Sequence, residues 1–191
     1  METLEEKLNN TNAYRQTRLD VARWVLDRPE SIKELLDFCF HTEDTISYKA
    51  AWILEYVCTE RLELLLPHLD YYLENLPKVN RDQALRPMAK ILEMLAVGYY
   101  KNVDEKVIAR LTTVHKGQMI EFCFDWLITK QKVACKVYAM LALYFFGTEF
   151  SWIHPELKTT IEQYIHDGMP AYKARGKYVL NRIRIFEKRN K

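Results

Sequence analysis

Residues Val133–Phe146 read VACKVYAMLALYFF, and the interpretation of the whole chain starts from this stretch. Its single charge is Lys136, near the start, and apolar or aromatic side chains follow on nearly every side of a helix drawn through it. A helix that is apolar all round has to be covered by neighbours on several sides. It is also well short of the roughly 20 apolar residues that cross a bilayer. The stretch therefore predicts a buried central helix.

The composition favours an all-α chain. Only 5 Gly and 6 Pro occur in 191 residues, whereas β-rich and α/β chains use more of both in their turns. No segment alternates polar and apolar residues between turn signals, so we predict no strands. The N-terminal residues lack the features of a secretory signal, and no apolar run approaches a membrane span. A cytoplasmic protein is the resulting expectation.

The cysteines fit the same expectation. They form no CxxC pair, and each lies within an apolar helical pattern. Cysteines of that kind behave as small buried hydrophobic residues in a reducing compartment. We predict four reduced thiols, with no disulfide and no zinc site, at Cys39, Cys58, Cys123 and Cys135.

Apolar residues recur at helical spacing along most of the chain. Thr3 and Glu6 form a capping box that starts a short first helix, and Gly117 separates an extra helix at 104–115 from the next one. Pro67 is expected to bend one helix, and Pro87 to kink or fray the start of another. The other predicted helices span 12–27, 29 onward, 47–58, 60–76, 82–99, 118–128, 132–146, 155–166 and 170–188.

Short motifs recur in the same order at nearly one offset. Lys49 and Lys136 stand in similar surroundings 87 positions apart. The other matches are Arg86 with Lys173 at 87, Pro67-x-Leu69 with Pro155-x-Leu157 at 88, and Phe38-Cys39-Phe40 with Phe122-Cys123-Phe124 at 84. Such self-similarity indicates a repeat architecture. We predict a single domain over 1–191, with cap helices at 3–27, half-repeats at about 28–100 and 116–188, and the extra helix 104–115.

The pattern resembles HEAT and armadillo-like repeats, in which an inner helix carries an acid, a basic residue about five positions later and then a small residue. Asp44 with Lys49, Asp82 with Arg86 and Asp167 with Lys173 follow this order, whereas Lys136 has no such acid. The resemblance implies that acid and base bridge adjacent units and have a structural role. It also implies an α-α superhelix: a short, curved, right-handed HEAT-like solenoid of about four helical hairpins, with the second helix of each pair on the concave side.

The chain also resembles a family of small bacterial helical-repeat proteins, and the resemblance covers most of its length. Members are sometimes labelled adenylosuccinate lyase, which makes an enzyme the third functional hypothesis. Lyases of that type carry their catalytic serine in a Gly-Ser-Ser-x-Met-Pro loop that is absent from this sequence. The segments that carry the resemblance are Asn12-Ala13-Tyr14-Arg15, Ala50-Ala51-Trp52-Ile53-Leu54-Glu55, Pro67-His68-Leu69-Asp70 and Arg86-Pro87-Met88-Ala89-Lys90.

No recognised catalytic or ligand motif is found in the sequence. The five histidines form no HExxH or other ligand spacing, and no Gly-rich phosphate loop or nucleophile elbow occurs. We expect these histidines to lie at helix ends or bends, facing solvent or the last carbonyls of a helix. The sequence therefore predicts no catalytic residue, no cofactor and no metal. The histidines are His41, His68, His115, His154 and His166.

Inner-helix residues that would face the concave side are the candidate binding face. Aromatic and basic side chains are enriched in binding hot spots, so the leading hypothesis is a non-catalytic scaffold or adaptor that binds a protein partner. The alternative for Trp52 and Tyr56 is that they pack between hairpins. The candidate residues are Tyr48, Trp52, Tyr56, Arg86, Lys90, Glu93, Lys136, Lys173 and Lys177.

Nucleic-acid binding is the second hypothesis, because HEAT-like DNA alkylation-repair glycosylases combine a basic groove, aromatic side chains and an acid. Here Lys90, Lys136, Lys173, Trp52 and Glu93 would supply them. Residues 173–191 contain eight Lys or Arg and one acid, a net charge of +7, so the rest of the chain has a net charge of −5. That acidic remainder is unusual for a protein that binds duplexes. The basic C-terminal segment is either a solvated cap helix or a contact for an acidic partner or phosphates.

Overall fold

The computed structural model describes residues 2–40, 45–166 and 168–190. These ranges contain eleven α-helices and no strand, which confirms the all-α prediction. No helix within them combines the length and apolar character that crossing a membrane requires. The chain divides into two compact units, Met1–Ile91 and Leu92–Lys191, called unit 1 and unit 2 below. The predicted single domain, its half-repeat boundaries and the cytoplasmic location stay predictions.

The helices follow one another with short connections. Their bounds are α1 Leu4–Asn10, α2 Arg15–Leu26, α3 Ile32–Phe40, α4 Ile46–Glu60, α5 Leu69–Asn75, α6 Asp82–Tyr100, α7 Glu105–Arg110, α8 Thr113–Ile128, α9 Val133–Phe146, α10 Ile153–Tyr164 and α11 Pro170–Arg189. Short 3-10 turns occur at Pro29–Ser31, Leu62–Leu64, Leu66–His68 and Leu76–Lys78.

Unit 1 is built around α4, which packs against α1, α2 and α3. The α4 side chains Ala50, Ile53 and Leu54 have no exposed surface. The capping box predicted at Thr3 is present: its hydroxyl accepts from the Glu6 backbone N–H, and the Glu6 carboxylate accepts from the Thr3 backbone N–H. The first helix is therefore anchored at the residue that the sequence indicated.

Unit 2 has the predicted central helix. α9 packs against α8, α10 and α11, and none of its fourteen residues is exposed. Ala139, Met140 and Phe146 are completely buried. The prediction of a covered apolar helix at 133–146 is confirmed, because an apolar surface on all sides is stable only under several neighbours.

The prediction of one bent helix over residues 60–76 is wrong. α4 continues to Glu60, two 3-10 turns follow, and α5 begins only at Leu69. Pro67 lies in the first turn of the second 3-10 segment, where its missing N–H needs no partner. Pro87 lies inside α6, which begins at Asp82.

The predicted extra helix at 104–115 is wrong at its C-terminal end. α7 stops at Arg110, Leu111 is extended, and Thr112 begins the next helix as its N-cap. The Thr112 hydroxyl accepts from the His115 N–H, while His115 Nδ1 accepts from the Thr112 N–H at 3.2 Å. Gly117, expected to end a helix, therefore lies inside α8.

All four cysteines are buried free thiols, as predicted. Burial raises the pKa of the Cys58 and Cys123 thiols above their usual range. A thiol whose thiolate form is disfavoured in this way is a poor nucleophile, so these side chains serve packing.

Candidate functional site

Three of the predicted binding residues share one side of α4 in unit 1. Tyr48, Trp52 and Tyr56 are spaced four residues apart, which places them above one another on a helix. The Tyr48 and Trp52 rings lie 4.9 Å apart between centroids at a tilt of 59°. All three side chains are half-buried. α4 therefore presents an aromatic stripe with accessible surface.

Arg18, on α2, covers this stripe. Its guanidinium carbon lies 5.2 Å from the centroid of the Trp52 ring and 5.8 Å from that of Tyr56, within the range of cation–π attraction. Its Nε is buried and donates no hydrogen bond within the described part of the chain. Arg18 was not predicted as a binding residue, because packing of α2 on α4 creates the contact and no local sequence pattern signals it.

A carboxylate next to the stripe holds two further predicted residues. Glu55 Oε2 accepts from Arg86 Nη2 at 2.5 Å, and Glu55 Oε1 accepts from Lys90 Nζ at 2.9 Å. Glu55 is only 8% exposed, whereas about a third of each cationic side chain is exposed. A buried carboxylate is stable when cations and hydrogen bonds replace its water. Glu55 was not predicted as a site residue.

The side chains described so far form what we call the aromatic–cation surface of unit 1. It contains three cations and one carboxylate, and hence a net charge of +2. The structure brings together five of the nine predicted binding residues here and adds two that were missed. Its members are Arg18, Tyr48, Trp52, Glu55, Tyr56, Arg86 and Lys90.

The other four predicted residues belong to unit 2. Glu93 is half-buried on α6, Lys173 is half-buried on α11, and Lys177 is exposed there. Lys136 is half-buried near the start of α9. That all nine form one concave face stays a prediction. The acids Asp44 and Asp167, expected to pair with Lys49 and Lys173, lie outside the described residues, as does His41.

Lys49 and Lys136, which the repeat pairs, each donate to a carbonyl at the end of a helix, α1 for Lys49 and α8 for Lys136. Lys49 Nζ donates to the carbonyl of Asn9 at 2.7 Å, and Lys136 Nζ donates to the carbonyl of Leu127 at 2.9 Å. Both carbonyls lie in the last turn of a helix, where the backbone has no helical donor left. A cation there also offsets the negative end of the helix dipole. This shared contact is structural.

An ion pair with a buried lysine lies in unit 2. Lys116, 3% exposed, donates to Glu149 Oε2 at 2.7 Å and lies 3.8 Å from the centroid of the Tyr99 ring. Burial acts to raise the pKa of Glu149, but hydrogen bonds from Lys116 and Tyr100 outweigh it and lower that pKa. The cluster fixes the side chains of neighbouring segments and was not predicted.

His115 and His154 are buried, and His154 contacts a carbonyl in the last turn of α9, one of the two surroundings predicted for the histidines. His115 forms the cap described above, and His154 lies in the first turn of α10, 4% exposed. His154 Nε2 lies 2.9 Å from the Tyr144 carbonyl, which can only accept, so Nε2 carries the hydrogen. Burial lowers the pKa of His154 and favours the neutral ring. Its ring also stacks on Tyr144 at 5.5 Å between centroids.

Within the described ranges, no group of three or more His, Cys, Asp and Glu side chains is arranged to hold a metal ion. A family model described as HEAT repeat domain matches residues 4–183, nearly the whole chain. The chain therefore belongs to the HEAT repeat family, which confirms the HEAT-like fold predicted from the repeated acid–base pattern. Comparison with curated proteins and with solved structures gives no match.

Proposed function

We propose that this protein is a non-catalytic helical-repeat adaptor that binds a protein partner through the aromatic–cation surface of unit 1. One observation carries the proposal: the Arg18 guanidinium lies over two rings of a half-buried stripe of three, Trp52 and Tyr56, and the Glu55 carboxylate on the same helix holds Arg86 and Lys90. Tyr, Trp and Arg are the residue types that dominate binding energy at protein interfaces. HEAT repeats present such side chains on extended surfaces built for association.

The charges of the surface define the chemistry of the partner. The surface includes three cationic side chains and one carboxylate, so we expect it to attract a segment rich in Asp and Glu. The exposed portions of the Trp52 and Tyr56 rings would take an apolar side chain from the same segment. We therefore expect the partner to present an acidic segment with an apolar or aromatic anchor.

The test is affinity capture from the native lysate with matched variants. Trp52→Ala and Arg18→Gln should each reduce recovery of the partner at least tenfold, as expected for the loss of a hot-spot residue worth about 2 kcal/mol. Trp152→Ala is the control, because Trp152 is another accessible tryptophan, 53% exposed, that lies in unit 2. Equal capture by all three variants would contradict the proposal, provided that their thermal unfolding is unchanged.

A second candidate function is nucleic-acid binding, and one feature of α11 favours it. Arg175 and Arg182 both lie within about 6 Å of the ring of Tyr178, which is 49% exposed. Stacked aromatic and guanidinium groups are typical contacts to bases and phosphates. Binding to duplex DNA that weakens steeply between about 50 and about 200 mM salt would support this function over the first.

Catalysis is tested in the same preparation. Turnover of a substrate that is abolished by single substitutions on the aromatic–cation surface would replace the adaptor proposal with an enzymatic one.

A further inference from the structure

Unit 2 contains a small pocket that neither function uses. Its volume is about 260 Å³, and the chain segments around it are the start of α9, the end of α10 and the start of α11. This is smaller than the roughly 300–1,000 Å³ of pockets that hold drug-sized ligands. Its walls combine apolar and polar side chains: Gln131, Val133, Lys136, Tyr164, Met169 and Tyr172.

The Tyr172 hydroxyl group has no hydrogen-bond partner within the described residues. The side chain is 4% exposed and lines the pocket, so we expect the partner of the hydroxyl to come from the pocket. Buried polar groups are nearly always paired, and one that is not indicates a missing partner. Burial raises the pKa of Tyr172 to about 12, so the hydroxyl keeps its hydrogen at neutral pH and can donate it.

Lys136 brings a positive charge to the same pocket. One of its three N–H groups donates to the Leu127 carbonyl, and two remain. Its Nζ lies 5.9 Å from the centroid of the Tyr164 ring. Within the described part of the chain no carboxylate pairs with it, and burial alone lowers its pKa. An anion in the pocket would stabilise this half-buried cation.

The internal repeat shows that the fold does not require this pair of groups. Tyr172 corresponds to Leu85 at the offset of 87, and Leu85 is buried at 4% exposure like its counterpart. An apolar side chain therefore fills the same position in unit 1 without a stranded hydroxyl. Both halves have the lysine, as Lys49 and Lys136, but only the second half has a tyrosine, Tyr172, at the other position.

We propose that this pocket binds a small organic carboxylate with an apolar body. The Lys136 ammonium and the Tyr172 hydroxyl would both donate to the carboxylate oxygens, while Val133, Met169 and the Tyr164 ring would cover the apolar part. The site is independent of the aromatic–cation surface, since it lies wholly in unit 2.

The probes are 3-phenylpropionate and hexanoate, with 3-phenylpropionamide as the neutral match to the first. Binding to the purified full chain is measured by calorimetric titration and by protein-observed NMR. Removal of a hydrogen bond to a charged group predicts an affinity loss of about tenfold to a hundredfold in Tyr172→Phe. Tyr178→Phe, on the same helix, is the control and should bind like the wild type.

Lys136→Gln gives the second test, because the amide can still donate to the Leu127 carbonyl while the charge is lost. We expect it to abolish the preference for 3-phenylpropionate over the amide. Without ligand, Tyr172→Phe should unfold at the same temperature as the wild type or higher, since it removes a stranded hydroxyl. Three results would each overturn the proposal: no binding of either acid at millimolar concentration, binding of the amide as tight as that of the acid, or binding unaffected by Tyr172→Phe.

Discussion

Gly147→Ala tests how tightly the His154 ring packs against Gly147 in unit 2, because it adds a single Cβ atom. A Cβ at Gly147 would lie 2.8 Å from His154 Cγ and nearer still to Cδ2 and Nε2, whereas real Cβ contacts under 3.0 Å essentially never occur. The backbone itself would accept alanine, because φ is −65° and ψ is −13°. The imidazole ring would therefore have to leave its site, and with it the hydrogen bond to the Tyr144 carbonyl.

The expected cost follows from two contributions. Overpacking a filled site costs about 1–3 kcal/mol. Leaving the buried Tyr144 carbonyl without its donor costs about 1–3 kcal/mol. The reduced entropy of the unfolded chain returns about 0.4–1 kcal/mol. Gly147→Ala should therefore lower the free energy of unfolding by about 3 kcal/mol.

Urea denaturation measures this effect, and the chain supplies its own control. A Cβ at Gly117, inside α8, meets no atom within 4 Å, so Gly117→Ala should raise the free energy of unfolding by about 0.5–1 kcal/mol. In the double variant Gly147→Ala/His154→Ala the ring that causes the clash is gone. The loss of unfolding free energy in the double variant should therefore be about 2 kcal/mol smaller than the sum of the losses in the two single variants. A stable Gly147→Ala variant, or strictly additive costs, would refute the reasoning.

Three further outcomes are expected. Glu55→Ala should cost about 2 kcal/mol in urea denaturation, because it removes the carboxylate that Arg86 and Lys90 share. Glu149→Gln should destabilise unit 2 more than Lys116→Met. The first variant leaves the buried Lys116 ammonium without its carboxylate, whereas the second leaves a Glu149 carboxylate that is 39% exposed to water. The reverse order of stabilities would contradict this account. The pKa of His154 is lower folded than unfolded, so its contribution to stability is present above about pH 6.5 and is lost as pH falls through the folded-state pKa. His154→Gln should therefore flatten the dependence of the unfolding free energy on pH between about 7.5 and about 5.5, and an unchanged slope would argue against it.

Local sequence patterns predicted most of the helices but did not predict the contacts between helices. The apolar surface of 133–146 and the Thr3–Glu6 box are properties of consecutive residues, and both predictions are confirmed. The break before α8 was missed because a histidine, in place of the usual Glu or Gln, completes the cap that begins at Thr112. Gly117 gave a false signal because a helix interior tolerates glycine at a modest cost.

The candidate site could be predicted only in part, for the same reason. Helical spacing identified Tyr48, Trp52 and Tyr56 as one stripe. Arg18 joins it because α2 packs on α4, and Glu55, on α4 itself, is identified only by its ion pairs with α6. A single sequence contains no signal of either contact. Burial of His154 was likewise invisible, since it depends on the carbonyl that it meets across α9 and α10.

The two halves of the repeat separate structural residues from candidate functional ones. Where they agree, as at Lys49 and Lys136, the side chain donates to a carbonyl at the end of a helix in each unit. Where they differ, each half has a feature that the other lacks. Trp52 corresponds to Ala139, so only unit 1 has the aromatic stripe, and Tyr172 replaces a leucine only in unit 2. Because a simpler residue occupies the matching position of the sister copy, we expect the larger or polar residue to serve the binding proposed above. By this reasoning the aromatic–cation surface and the Lys136–Tyr172 pocket are separate acquisitions on one repeated scaffold, and substitutions at one should leave binding at the other unchanged.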